Sequence, residues 1–467
     1  MCLVEVNNAL GVSCALPLLN DMRIYTDNKR VRKAREGVLQ FLLVNHPLDC
    51  PICDQGGECD LQDISSTFGI ERGRFYEYKK RSVDNLNTLG PLIKTIMTRC
   101  IHCSRCVRYI NEISGLSDLG IIGRGSSMEI GTFIEHFVNE ELSGNIIDLC
   151  PVGALTAMPS AYVSRSWELI SINSIDVLDS LASSIRLDIV NNSVVKIVPV
   201  LNEIINEEWI NNKTRFCYDS FSIQRLSYPK LRLYSKFVVI SWGCVFNLFF
   251  DILLNYSFKF LEAFSGPFSD LDSVSTLKFF FNSFGSSNLN YFDNLKTNFD
   301  FRFLFLLNNS LFSLEKSNIV LLLGTNLRLE SPILNSRLRK NFLNKKKNTL
   351  FFSIGLSLVY LTFPVINLGN NLSFLKNFIE GKSSSIRYFF ISDFLNFNFL
   401  NWNFKFLNKI SILGGMSLLT RLDSLAILNS LFYFFKKIFN FNIFFSLNFI
   451  SVHLGRLSAL ELALPQV

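Results

Sequence analysis

The chain has 467 residues and a mass of 53.4 kDa, with 49% hydrophobic and 18% charged residues, enough to bury more than one core. Its net charge of +7 is mild, and with neither a basic stripe nor a nucleic-acid motif the sequence predicts no nucleic-acid partner. No apolar run reaches the roughly 18 residues that a membrane span needs, since the best one, residues 237–250, is interrupted by polar positions.

The first 24 residues are predicted to form two strands, at residues 2–6 and 12–17, joined by a loop. A helix is then predicted from Asp27, as its N-cap, to Asn45, because apolar residues recur there at helical spacing. Pro47 ends this helix. The helix therefore delivers its C-terminal end to the loop that follows.

That loop carries the first of two sets of four metal-ligand residues. The set consists of His46, Cys50, Cys53 and Cys59. Four ligands are the number that a cubane iron–sulfur cluster needs. A lone histidine is more often structural, but this three-cysteine loop otherwise lacks a fourth ligand. His102 is the competing candidate, although its own loop belongs to a set that already has four cysteines.

The second set is more specific in its spacing. It consists of Cys100, Cys103, Cys106 and the distant Cys150, which precedes Pro151. Three cysteines at consecutive spacings of three, closed by a remote Cys-Pro, are typical of bacterial ferredoxins. Zinc is the alternative, but zinc sites normally use two separate cysteine pairs. The pattern therefore favours a second [4Fe–4S] cluster.

The charges around the two sets differ in sign. Acidic residues flank the first set and arginines flank the second; they are Asp49, Asp54, Glu58, Asp60 and Asp63, and Arg99, Arg105 and Arg108. Cationic neighbours should favour the reduced state of a cluster and acidic neighbours should disfavour it. The alternative is that each charge is simply a solvated surface residue.

The remaining cysteines and histidines are assigned more simply. Nine of the 11 cysteines precede residue 151, which favours a reducing compartment over a disulfide framework. Cys2 and Cys14 resemble the last two ligands of a plant-type [2Fe–2S] site, which needs four. Cys217 and Cys244 are predicted to be buried free thiols. Two histidines are predicted to be structural, namely His136 and His453.

The later part of the chain changes from strands to an α/β pattern. Residues 185–190 and 193–198 predict a hairpin around two asparagines. Buried strands are predicted at 318–326 and 409–415, and a helix at 423–439. This alternation is typical of an open parallel sheet. The sequence contains no phosphate-binding glycine motif and no nucleophile elbow, so no independent active site is expected.

Several of these stretches resemble one family. Residues 32–63, 90–108 and 141–156, with 205–216 and more weakly 321–332, resemble the largest iron–sulfur subunit of respiratory complex I, the proton-translocating NADH:ubiquinone oxidoreductase. The resemblance implies an α+β and α/β multidomain fold. Its expected parts are a β-grasp ferredoxin-like remnant (1–26), an iron–sulfur domain (27–160), a small β-rich domain (161–218) and an incomplete, degenerate molybdopterin-oxidoreductase-like α/β domain without its cofactor (219–467).

The resemblance also implies a role in electron transfer. The small [2Fe–2S] subunit is an expected partner. Electrons would come from NADH through the flavin subunit and a [2Fe–2S] centre. They would reach the cluster on the second set before the one on the first set, and leave toward ubiquinone through a downstream iron–sulfur subunit. The implied location is the matrix-facing peripheral arm at the mitochondrial inner membrane. Most of the 46 phenylalanines follow residue 236, a bias typical of AT-rich organellar genes.

Two departures from the family pattern lead to further expectations. Family members begin upstream of Met1 and continue beyond Val467. We therefore expect separate chains to supply the two missing [2Fe–2S] ligands and the C-terminal half, unless these parts are lost. Two alternatives to the electron-relay subunit stay open. One is an active molybdenum or tungsten enzyme or a hydrogenase relative, and the other is a zinc-stabilised assembly scaffold.

Overall fold

The computed structural model describes most of the chain. The described residues are 2–76, 81, 83, 89–133, 136–255, 261–291, 302, 305–344, 349–355, 361–370, 410–439, 447–452 and 454–462. The chain forms two compact units, one comprising Met1–Ile172 with Leu187–Val198 and the other Asn173–Arg186 with Pro199–Val467. Within the described ranges, every helix is too short or too polar to cross a membrane.

Helices and strands alternate along both units. The described α-helices are α1 (Lys29–Asn45), α2 (Asp60–Phe68), α3 (Arg105–Arg108), α4 (Asn145–Leu149), α5 (Asn212–Phe216), α6 (Trp242–Asn255), α7 (Leu271–Ser283), α8 (Leu311–Glu315), α9 (Leu327–Glu330), α10 (Pro332–Asn344), α11 (Ser424–Phe439) and α12 (Leu454–Glu461). Among the shorter turns are 3-10 turns at Cys50–Ile52, Met97–Arg99 and Met416–Leu418 and a π-helical turn at Tyr109–Ser114.

The strands are short throughout. They are β1 (Leu3–Val6), β2 (Ala9–Val12), β3 (Ile24–Tyr25), β4 (Ile93–Thr95), β5 (Leu119–Ile122), β6 (Glu129–Thr132), β7 (Leu155–Ala157), β8 (Ile170–Ile175), β9 (Ser184–Val190), β10 (Ser193–Pro199), β11 (Lys230–Leu233), β12 (Lys236–Val239), β13 (Ala263–Ser265), β14 (Leu289–Tyr291), β15 (Ile319–Leu323), β16 (Leu350–Ile354), β17 (Ile366–Asn367), β18 (Ile410–Gly415) and β19 (Leu447–Ile450).

The N-terminal strands form a sheet of order β2-β1-β3. The predicted second strand at 12–17 is wrong, because the strand occupies Ala9–Val12. The reason lies in Asn7 and Asn8, whose φ angles of 48° and 67° close a tight turn directly after β1. The chain therefore reverses earlier than predicted, and Cys14 follows the hairpin instead of lying in it.

Helix α1 begins one residue later than predicted. Its N-cap is Asn28, whose Oδ1 accepts a hydrogen bond of 2.8 Å from the backbone N of Val31. The predicted cap, Asp27, is wrong, since its carboxylate instead pairs with Arg32 at 2.5 Å. Asn28 also donates from Nδ2 to Glu5 at 2.6 Å, which ties the start of the helix to β1. The tertiary contact decides which of two good capping residues is used.

The hairpin predicted around two asparagines is confirmed. Strands β9 and β10 are neighbours in a sheet of order β10-β9-β8. Asn191 and Asn192 have φ angles of 48° and 63°, the left-handed pair that a two-residue turn requires.

The second unit contains a parallel sheet of order β17-β16-β15-β18-β19. Its central strand β15 alternates faces, with Leu321 and Leu323 packing into one hydrophobic cluster and Val320 and Leu322 into another. Helix α10 covers the second cluster and helix α11 the first. The predicted strands and the predicted helix at 423–439 are thus confirmed, and the sheet is covered on both faces.

We predict that Asn28→Ala lowers the free energy of unfolding by about 1–2 kcal/mol, because it removes the helix cap and the contact with Glu5. Denaturant unfolding of the purified chain measures the change. Asp27→Ala is the matched control and should cost less, since the Asp27 side chain lies at the surface and pairs only with its own helix. An equal loss in both variants would contradict the assignment of the cap.

Candidate metal centre in two interlocked cysteine loops

The loop of the second set is folded tightly around its cysteines. Cys100 directly follows the 3-10 turn Met97–Arg99, and Cys106 lies in α3. Between them, His102 and Ser104 have φ angles of 53° and 58°, a left-handed conformation that is uncommon for residues other than glycine. These two residues flank Cys103 and turn the chain back on itself. The remote Cys150 is the C-cap of α4.

The four thiols of the second set lie near enough to influence one another's pKa. Burial, together with the nearby thiols of Cys150, Cys103 and Cys100, raises the pKa of the Cys106 thiol to about 12. Burial likewise raises the pKa of Cys150 to about 11, with contributions from Cys103 and Cys100. With these raised pKa values, the thiols of Cys106 and Cys150 stay protonated at neutral pH unless a metal compensates the thiolate charge.

The three thiols of the first set also lie close together. Cys50 opens the 3-10 turn Cys50–Ile52, Cys53 follows it, and Cys59 caps the N-terminus of α2. Cys50 is exposed and Cys59 is buried. Burial raises the pKa of the Cys59 thiol, and the charges of Cys53 and Cys50 add to this shift. One side of this set therefore faces solvent.

His46 lies at the end of α1, where its backbone N–H donates to the carbonyl of Leu42 at 3.1 Å. Burial lowers the pKa of the His46 imidazole, the nearby Arg99 lowers it further, and Asp49 opposes the shift. A neutral ring is the state that binds metals. The ring borders a cavity of about 290 Å³ that is also lined by Cys100 and His102.

The competing histidine, His102, is engaged by the backbone. Its Nε2 lies 2.8 Å from the carbonyl oxygen of Met128. Its backbone N–H donates to the sulfur of Cys100 at 3.4 Å. His102 therefore contacts the second set through its backbone N–H. The interpretation of His46 as the fourth member of the first set stays a prediction.

The two loops are bound directly to each other. Arg99, before Cys100, pairs with Asp49, before Cys50, at 3.1 Å. Arg105 pairs with Asp60 at 3.2 Å, and the backbone N–H of Asp60 donates to the carbonyl of Pro151 at 3.1 Å. The charges that flank the two sets in the sequence thus meet across the loop interface.

Two residues that the sequence did not point to complete this interface. A side chain added at Gly153 would place its Cβ 2.2 Å from the sulfur of Cys53, so only glycine fits beside that thiol. Arg165 donates to the carbonyl of Cys53 at 2.6 Å and also to the carbonyl of Pro51. The only signal for Gly153 in the sequence is its place three residues after Cys150.

The donor chemistry of the two sets, seven thiols and one imidazole, fits iron–sulfur clusters. In the described part of the chain, no three His, Cys, Asp or Glu side chains converge as ligands of one metal ion. Two groups of soft thiols with adjacent guanidinium groups are the environment that an anionic cluster requires.

The other predicted residues do not belong to either set. Cys2 and Cys14 are exposed, and the carbonyl of Cys14 accepts a hydrogen bond of 3.1 Å from Arg108 in α3. The prediction that Cys217 and Cys244 are buried is wrong, since both are exposed. They lie in a surface turn and at the start of the outward-facing helix α6, so the apolar character of their neighbours did not imply burial. His136 is exposed, and His453 lies outside the described residues.

Four family models match consecutive parts of the chain. Residues 35–74 match the NADH-ubiquinone oxidoreductase-G iron-sulfur binding region, and residues 90–156 match the ferredoxin-like domain of NADH-quinone oxidoreductase subunit 3. Residues 169–219 match the 4Fe-4S domain of NADH-ubiquinone oxidoreductase, and residues 225–466 match molybdopterin oxidoreductase. The predicted fold class, iron–sulfur domains followed by a molybdopterin-oxidoreductase-like domain, is confirmed.

Similar proteins carry consistent names. The NADH-ubiquinone oxidoreductase 75 kDa subunit of Reclinomonas americana is 44% identical over 82% of this chain and 57% of its own length. The mitochondrial NADH dehydrogenase [ubiquinone] iron-sulfur protein 1 of Solanum tuberosum is 48% identical over 73% of this chain and 46% of its own length. The NADH-ubiquinone oxidoreductase 75 kDa subunit of Acanthamoeba castellanii is 46% identical, with coverages of 82% and 56%. These relatives confirm the predicted resemblance. The chain spans about half of their length.

We predict that Gly153→Ala prevents metal loading of the first set, because the added Cβ overlaps the sulfur of Cys53. The iron content of the purified protein should fall by about half if two equal clusters are present in the wild type. Gly120→Ala is the matched control, since a Cβ at that position meets no atom within 4 Å. Iron content equal to wild type in both variants would contradict the packing of Gly153 against a metal-bound Cys53.

Proposed function

The chain belongs to the molybdopterin oxidoreductase family and is a homologue of the 75 kDa iron–sulfur subunit of NADH-ubiquinone oxidoreductase, and we propose that it is an electron-relay subunit of respiratory complex I. The observation that carries this proposal is the pair of interlocked cysteine loops, each with its own set of metal-ligand residues. Single electrons from the NADH-oxidising flavin subunit would pass through this chain toward ubiquinone.

In this proposal the first set holds one [4Fe–4S] cluster and the second set holds another. The bound clusters supply one-electron redox chemistry, and the chain supplies their environment. His46, Cys50, Cys53 and Cys59 would hold the first, and Cys100, Cys103, Cys106 and Cys150 the second. The burial of Cys106 and Cys150 shields one side of the second site from water, and the backbone N–H of His102 stabilises charge on the Cys100 sulfur.

We further propose that Cys2 and Cys14 are two of the four ligands of a [2Fe–2S] cluster. Both thiols are exposed and thus accessible to ligands from another chain. The hydrogen bond from Arg108 to the Cys14 carbonyl supports a position beside α3, which carries Cys106. Electrons entering at this site would then reach the second set before the first.

The proposed function assigns no cofactor to the α/β domain at 219–467. In support, side chains of this same domain occupy the space at the C-terminal end of β15. The hydroxyl of Ser417 donates to the carbonyl of Gly324 at 2.8 Å, and a Cβ at Gly324 would lie 2.8 Å from Leu418. This domain would instead pack against other chains of the complex. The preceding parts would be the ferredoxin-like segment 1–26, the iron–sulfur domain 27–160 and the β-rich domain 161–218.

The proposed partners are complex I subunits. They are the flavin subunit, the small [2Fe–2S] subunit and the downstream iron–sulfur subunit. The proposed location is the matrix-facing peripheral arm at the mitochondrial inner membrane. The mitochondrial names of relatives, such as the one from Solanum tuberosum, support it.

We predict that the protein purified anaerobically contains about eight irons and about eight acid-labile sulfides per chain for two cubanes. Cys103→Ser should remove about half of both and one of the two EPR signals of the reduced protein, since it removes a ligand of only one cluster. Cys217→Ser is the matched control, because this exposed thiol lies outside both sets.

Three results would contradict the proposal. Zinc in place of iron and sulfide would favour the assembly scaffold. Stoichiometric molybdenum or tungsten would favour an active molybdopterin enzyme. Equal loss of both EPR signals in Cys103→Ser and in Cys217→Ser would contradict the assignment of ligands to separate sets.

A further inference from the structure

Arg99 is a charged side chain enclosed at the interface of the two loops. Only 2% of its surface is exposed. Its Nε donates to Asp49 at 3.1 Å, and its Nη1 lies 3.5 Å from the carbonyl oxygen of Gly153. Asp49 directly precedes Cys50, Gly153 lies three residues after Cys150, and Arg99 itself precedes Cys100. One guanidinium group therefore contacts the backbone or flanking residues of both sets.

The other ion pair between the loops differs in burial. The side chains of Arg105 and Asp60 are 42% and 49% exposed, so water screens their charges. The Arg99 side chain is only 3% exposed, and its partner Asp49 is 32% exposed. The field of the Arg99 guanidinium is therefore the less screened of the two. Arg105 offers a natural comparison, since it bridges the same loops at the surface.

We infer that Arg99 is a positioning residue that fixes the spacing of the two cluster sites and favours the reduced state of both. This inference rests on the proposed function. A planar guanidinium can contact Asp49 and the Gly153 carbonyl at once, whereas a lysine ammonium presents a single point charge. A buried positive charge beside two electron-accepting sites stabilises the added electron at each of them.

Substitutions at this ion pair separate the effect of charge from that of geometry. Arg99→Met removes the positive charge and should shift both midpoint potentials to more negative values. Asp49→Asn removes the neutralising carboxylate and should shift them to more positive values. Arg99→Lys keeps the charge and loses the double contact, so it should keep the potentials of wild type and weaken the magnetic coupling between the two clusters. A purely structural role would not give opposite signs for Arg99→Met and Asp49→Asn.

The experiment is a redox titration followed by EPR on the intact complex that contains each variant. Arg105→Gln is the matched control and should leave both potentials within error of wild type. Since changes to residues that contact metal ligands typically cost about 10–100-fold in activity, Arg99→Met should also slow NADH-dependent electron transfer about tenfold. If Arg99→Met fails to assemble, the comparison of Asp49→Asn with Arg99→Lys still tests the predicted signs.

The outcomes distinguish this inference from the proposed function. A wild-type complex without two EPR signals from this chain would contradict the proposed function itself. Two wild-type signals whose potentials move in the same direction in Arg99→Met and Asp49→Asn, or do not move, would overturn the inference alone. A shift in midpoint potential in Arg105→Gln as large as that in Arg99→Met would also overturn it, because the effect would then not depend on the burial of the charge.

Discussion

The structure around the two sets depends on the contact between their two loops, because the buried guanidinium of Arg99 in one loop pairs with Asp49 in the other. Three of their seven thiols are buried, Cys59 in the first loop and Cys106 and Cys150 in the second set. The buried pair of Arg99 and Asp49 joins the two loops, and the backbone bond from Asp60 to Pro151 holds their register. Burial of an ion pair is costly unless its geometry is good and its remaining donors are used. Here the Nη1 of Arg99 lies 3.5 Å from the Gly153 carbonyl oxygen, so the guanidinium that pairs with Asp49 in the first loop also contacts the segment after Cys150.

The loop contact also changes the electrostatic environment expected for the two sets. The sequence suggested an acidic environment for the first set and a basic one for the second. In the folded chain the acidic residues Asp49, Asp54, Glu58 and Asp60 each lie within 4 Å of a cation: Arg99, Lys94, Lys196 and Arg105, respectively. Paired charges this close reduce each other's fields, more where water also screens them, as at Arg105 and Asp60, and less at the buried Arg99. Differences between the sites should then come from burial and from the proposed ligand types, three thiols and an imidazole against four thiols.

Local sequence signals predicted the parts of the fold that depend on local physics. Spacing within a loop indicated that Cys50, Cys53 and Cys59 belong together, as do Cys100, Cys103 and Cys106, and two adjacent asparagines predicted the turn between β9 and β10. Local sequence signals failed to predict the structure where residues distant in the sequence determined it. Asn28 and not Asp27 caps α1 because Glu5 lies within reach, and the requirement for glycine at residue 153 exists only because Cys53 packs against it. The exposure of Cys217 and Cys244 was missed for the same reason, since burial is a property of the packed chain.

The central claim is that two separate four-iron sites lie on either side of the interface formed by Arg99 and Asp49. Anomalous scattering at the iron edge from crystals of the metal-loaded complex tests it most directly. We expect two compact peaks, each of four irons, one at the first set and one at the second, with the Arg99 guanidinium between them. Single-ion peaks, a zinc-edge signal or one peak shared by both sets would contradict the account.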